Sequence, residues 1–230
     1  MKGKKETMTK KLFFQALLKY LLGVVVLGAL IFIPAGTLRF PNGWLLMGLL
    51  FIPMFFAGLV MMRHDPALLE KRLHAKERDE EQKEVIRGSA NMFIAAFILA
   101  GLNFRFGWLS LPNWIVWAAS VLFLLAYLMW GEVLRENAWL SRTVEVQEGQ
   151  RVVDSGLYGI VRHPMYAASV LLFLSMPFVL NSIFSFLAML FYLPLIVRRI
   201  KNEERLLEEE LPGYQEYMER VKYRLIPFVW

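Results

Sequence analysis

No cysteine occurs in the chain, which removes disulfides, thiolate nucleophiles and thiolate metal sites. Histidine is scarce as well: His64, His74 and His163 are scattered rather than set at ligand spacing, so no structural or catalytic metal is expected. No Gly-x-Gly-x-x-Gly turn follows a strand pattern, which argues against a Rossmann domain. What abounds is apolar character. Of the 230 residues 57% are hydrophobic and mean hydropathy is +0.44, values that fit several bilayer spans rather than a soluble domain. The net charge of +6 raises the question of nucleic acid, but the basic residues concentrate between apolar runs, as beside an anionic leaflet, so no nucleic-acid role is expected. Met1 to Lys11 is basic and precedes an apolar run in the manner of a signal peptide. That run is too long and no small-residue cleavage pattern follows, so it reads as a retained first span.

The fold expected is all-α and polytopic: four long spans, then a C-terminal helical hairpin. Leu12–Ile33 carries one charge, Lys19, positioned to snorkel to head groups, and its length matches a hydrocarbon core of about 30 Å. Turn-rich residues 34–43 lead to a second span, Trp44–Met62. Residues 63–88 alternate Lys/Arg with Glu/Asp, the pattern of a charged helix on the membrane surface. A third span, Ser89–Phe104, and a fourth, Pro112–Trp130, are separated by the breakers Gly107 and Pro112. Ala167–Val197 has no charge and is too long for one upright span; Pro177, Asn181 and Ser182 mark a turn at its middle. Each leg is then short of a full crossing, which tilt, burial in protein or local bilayer thinning would each accommodate. Lys and Arg gather at the N-terminus, in 63–88, in 131–165 and after Arg198, which places both termini and the polar segments in the cytoplasm. Residues 1–134 are thus read as a span region and 135–230 as the region carrying chemistry.

Gly156-Leu157-Tyr158-Gly159-Ile160-Val161-Arg162-His163-Pro164-Met165-Tyr166 sets donors, a cation and aromatic faces directly before the hairpin. Beyond it come Arg199, Glu203 and Glu204. Arg199 and Glu203 lie i,i+4 on one helix face. Two readings stand: an exposed ion pair worth a few tenths of a kcal/mol, roughly, or a cation gripping an anionic substrate beside a carboxylate that takes cofactor hydroxyls or an ammonium. Arg162-His163-Pro164 has its own plain reading as an interfacial anchor and helix start. Trp44, Trp108, Trp114, Trp130 and Trp139 read as an interfacial belt rather than a cofactor box. Tyr214 and Tyr217 either close over the site or anchor the tail helix.

The ordered series Val152–Tyr158, Val161–Tyr166, hairpin, Arg199-Ile200, Glu203-Glu204, Tyr214–Tyr217 and Tyr223-Arg224-Leu225-Ile226-Pro227 resembles the isoprenylcysteine carboxyl methyltransferase family. Related phospholipid methyltransferases share much of it. The resemblance runs from Arg135 to Trp230, with Leu157 where relatives often have Pro. It implies a membrane enzyme using S-adenosyl-L-methionine on a lipophilic or prenylated acceptor. By position it implies cofactor contacts at Gln150, Arg151, Val152, Val153, Tyr158, His163, Pro164, Met165, Tyr166, Glu203 and Glu204, with Arg199 on the substrate carboxylate and catalytic roles at Arg199 and Glu203. Membrane sterol reductases, which use NADPH, resemble the same tail, with a similar Arg-His-Pro-x-Tyr segment and Tyr-Arg-x-Ile-Pro end. They form the alternative, together with phospholipid N-methylation.

Overall fold

A computed structural model describes residues 2–64, 66, 69–70, 73, 80–137, 139–140 and 146–230, with side chains from Leu12 onward except at 80 and 81. Its helices are α1 (Lys2–Ala35), α2 (Pro41–His64), α3 (Glu80–Phe106), α4 (Asn113–Glu136), α5 (Pro164–Val179), α6 (Ile183–Met189), α7 (Tyr192–Glu210) and α8 (Tyr214–Arg220), with a 3-10 turn at Gly156–Gly159. No strand occurs among the described residues. Five segments are long and apolar enough to cross a membrane: 12–35, 41–64, 82–106, 113–136 and 183–210. The protein is therefore a multi-pass membrane protein.

Local chemistry sets the ends. Pro41 and Pro164 occupy first helical turns, where no N–H is needed. Gly107, at φ 62°, turns the chain out of α3, and its N–H donates to Asn103 O at 2.9 Å. The third span is longer than expected because Gln82–Gly88, part of the stretch read as surface helix, continues α3. Lys71, Arg72, His74, Lys76, Glu77, Arg78 and Asp79 of that stretch lie outside the described residues. Lys19 also departs from expectation: its ammonium donates to the main-chain oxygen of Leu73 and ties α1 to the chain beyond α2.

The hairpin forms, with α5 as its first leg. Nine of the sixteen α5 residues are buried, against 17% of the apolar windows of α1 and α2. Among the three ways to accommodate a short leg, the fold uses burial in protein: α5 packs chiefly on α4, and also on α2, α3, α6 and α7. The second leg is broken at Leu190-Phe191, because Pro194 cannot bond to the Leu190 carbonyl and is tolerated only in the first turn of a new helix. At the turn Asn181 takes φ 57°. Its side-chain oxygen accepts from Leu111 N at 2.6 Å, and its main-chain oxygen accepts from Asn103 Nδ2 at 3.1 Å. α1 and α3 approach so closely that a Cβ added at Gly101 would lie 2.6 Å from Ile31 O, the small-residue contact typical of membrane helices. With the hairpin turn pinned at one end of the bundle, the end of α4, the start of α5 and the polar half of α7 gather at the other.

Candidate active site

At the end of α4, Gly156 and Leu157 fold over Glu136. Gly156, at φ 53°, sits so close to that carboxylate that a Cβ would fall 1.4 Å from Oε1. Leu157 N donates to Glu136 Oε2 at 3.0 Å, a bond that a proline at this position could not supply. Tyr158 is fixed twice: Asn137 Nδ2 donates to its hydroxyl at 2.9 Å and Tyr217 Oη donates to its carbonyl at 2.7 Å. Arg220 of α8 pairs with Asp154 at 2.9 Å. α8 is thereby held against the 3-10 turn.

The segment before α5 is bound to the tail as a short two-bond ladder: Arg162 N donates to Tyr223 O and His163 N to Arg224 O, both at 2.9 Å. Below it lies a buried charge cluster. Glu204, 2% exposed, accepts from Arg162 Nε at 2.7 Å and Arg224 Nε at 2.6 Å, and its Oε1 lies 3.2 Å from His163 Nε2. Arg162 Nη1 also donates to Val221 O at 2.8 Å and Lys222 O at 3.0 Å. One carboxylate thus joins α7, the entry of α5 and the tail.

Above this cluster opens a cleft of about 850 Å³, counting its mouth. Gln150, Arg151, Val152, Val153, Tyr158, His163, Met165, Tyr166, Arg199 and Glu203 all line it. Tyr166 links the two α7 groups: its hydroxyl donates to Glu203 Oε2 and accepts from Arg199 Nε at 2.9 Å. The i,i+4 pair is therefore no solvated surface bridge; it flanks a buried phenol. The His163 ring stacks on Tyr166 at 5.7 Å between centroids. Pro164 starts α5 between lining residues without reaching the wall. Glu204 differs from expectation, since it lies behind the wall and serves the arginines.

Trp139, read as belt, instead lines the cleft, as do Leu207 and Leu211. Leu207 follows Arg199 and Glu203 at steps of four, a stripe legible in the sequence; Trp139 had no such signal. Tyr214 and Tyr217 both line the cleft and anchor the tail, packed with Leu211 and Val221. Burial raises the Tyr158 phenol to about 12 and raises Tyr214 and Tyr217 as well. All three are neutral hydroxyls at neutral pH.

Fold and cleft together define a helical membrane protein with a polar pocket at one end of its bundle, walled by both apolar and ionic side chains. Residues 115–209 match the model of the isoprenylcysteine carboxyl methyltransferase (ICMT) family. A Delta(14)-sterol reductase of Mus musculus is 33% identical over 91 residues, which is 38% of this chain and 22% of that protein. The chain spans about a fifth of that relative's length.

Proposed function

We propose that this protein is an S-adenosyl-L-methionine-dependent methyltransferase that methylates the carboxylate of an isoprenylcysteine-like or other lipophilic acceptor, with its termini and cleft on the cytoplasmic side. The observation that carries the reading is Arg199, Tyr166 and Glu203 meeting in one cleft inside a domain matched to this family. The cleft fits the cofactor chemically. Glu203 suits an ammonium or ribose hydroxyls, Val152, Val153, Leu207 and Leu211 suit a purine face, and the Tyr158 and Tyr166 rings suit a cation. Tyr214 Oη is buried without a partner among the described residues, which leaves a polar group for a ligand to satisfy.

When bound, the cofactor supplies an electrophilic methyl group. The protein's share is orientation and dryness. An acceptor α-carboxylate, with a reference pKa of about 3.3 to 3.7, is already ionised at neutral pH, so no general base is needed. Arg199 orients it through charge-assisted bonds. Alignment of this kind lowers a barrier by roughly 7 to 11 kcal/mol. A cation in that position favours a carboxylate over the amine of a phospholipid head group. Basic residues beside the spans support the cytoplasmic side.

The test is transfer of labelled methyl from S-adenosylmethionine to an S-farnesylated N-acetylcysteine by the purified protein in lipid. Arg199→Ala is expected to abolish transfer while leaving S-adenosylhomocysteine bound. Equal transfer in wild type and variant would reject the assigned role. The second reading, an NADPH-dependent sterol reductase, has the mouse relative in its favour; NADPH binding without S-adenosylhomocysteine binding would select it.

A further inference from the structure

The last described turn of the tail displays apolar side chains that stay largely outside the fold, Phe228 leaning only by one edge on the Tyr223 ring, 5.3 Å between centroids. Leu225 N and Ile226 N both donate to the main-chain oxygen of Trp230, at 2.8 and 3.0 Å, and Val229 N and Trp230 N donate to Ile226 O, each at 3.1 Å. These bonds close a rigid loop around Pro227. At its tip Phe228 is 87% exposed and Val229 74%. Phe228 takes φ 64°, a region disfavoured for a bulky side chain and kept only where the surroundings impose it. The base is stapled by Arg224, which bonds to Glu204 and lies 5.4 Å over the Trp230 ring.

We propose that residues 226–229 form an interfacial anchor that inserts into the same bilayer leaflet in which α5 begins. The location follows from covalent and hydrogen-bonded continuity: Arg162 N bonds to Tyr223 O, and two residues later Pro164 starts the apolar α5. The tip therefore leaves the fold at the membrane boundary. Exposed Ile160 precedes Arg162, and exposed Lys222 stands at the loop's base, where its charge complements anionic head groups. Aromatic and aliphatic tips with a neighbouring cation are the composition of an interfacial anchor.

Because the chain has no cysteine, Phe228→Cys and Val229→Cys give single labelling sites for a nitroxide in the full protein in phosphatidylcholine–phosphatidylglycerol vesicles. Leu128→Cys, on the lipid-exposed face of α4, and Glu216→Cys, on the exposed face of α8, serve as references. Insertion predicts high collision with oxygen and low collision with a water-soluble nickel chelate at 228 and 229, close to the Leu128 reference. Values matching Glu216 overturn the proposal. Protection from both oxygen and nickel, the sign of cover by protein, also overturns it. Two adjacent sites guard against a substitution at 228 that relaxes the loop.

Discussion

Replacing Glu204 by Gln removes one negative charge from between two guanidinium groups, and its cost follows from how completely Arg162 depends on it. Arg162 is 7% exposed; apart from Glu204 its side chain bonds to two main-chain oxygens, Val221 O and Lys222 O. An amide still accepts one bond but no longer neutralises the buried cation. Breaking a buried pair by removing one partner costs about 3 to 5 kcal/mol, equivalent to roughly a hundred- to several-thousand-fold in the folded-to-unfolded ratio at about 1.4 kcal/mol per tenfold. Arg224, with its side chain 34% exposed, is rehydrated on loss of its partner and adds little. Unfolding in detergent, followed by near-ultraviolet circular dichroism across a denaturant series, reads this directly. Arg162→Met combined with Glu204→Leu is expected to recover most of the loss, because an apolar pair leaves no buried charge. Arg135→Ala, at the exposed i,i+3 bridge to Glu132, is expected to shift stability by less than about 1 kcal/mol. A Glu204→Gln protein as stable as the Arg135→Ala protein would refute the reasoning.

Three further outcomes follow from the same geometry. Gly156→Ala forces a side chain into Glu136 at positive φ, at a backbone cost of about 1 to 2 kcal/mol plus the clash, and limited proteolysis should show the 146–163 segment cleaved sooner. Tyr214→Phe removes a buried hydroxyl without a partner; it should raise the thermal midpoint of the ligand-free protein, an effect on the order of 1 kcal/mol, while weakening S-adenosylhomocysteine binding in calorimetry. Burial lifts the Tyr158 phenol to about 12, and Tyr214 and Tyr217 move the same way. The folded state therefore holds protons that the unfolded state releases above about pH 10. This contribution is full below that pH and is lost as pH rises towards 12, and Tyr158→Phe should flatten the decline in a melting series.

The spans were legible because an uncharged run of bilayer length has few other uses; the third begins earlier than its apolar run, at Gln82, because the charged stretch 82–88 continues the same helix. The hairpin was legible from Pro177, Asn181 and Ser182. Its broken second leg was written in Pro194, whose effect depends on which carbonyl it displaces. Most of the lining residues were legible from the ordered series, while Gln150 and Arg151 came only from their place just ahead of it. The role of Glu204 was not, since its partners stand 42 and 20 residues away and an Glu-Glu pair looks alike in sequence whichever member is buried. Trp139 was misread because position near a span end describes a belt residue and a cleft residue equally well.

The central claim is that the cleft between α5, α7 and α8 binds a sulfonium nucleoside through Glu203. Calorimetric titration of the detergent-purified protein with S-adenosylhomocysteine and, in parallel, NADPH tests it on wild type and Glu203→Ala. The account predicts saturable binding of S-adenosylhomocysteine that is lost in the variant, with none of NADPH; binding of NADPH alone, or nucleoside binding indifferent to Glu203, would contradict it.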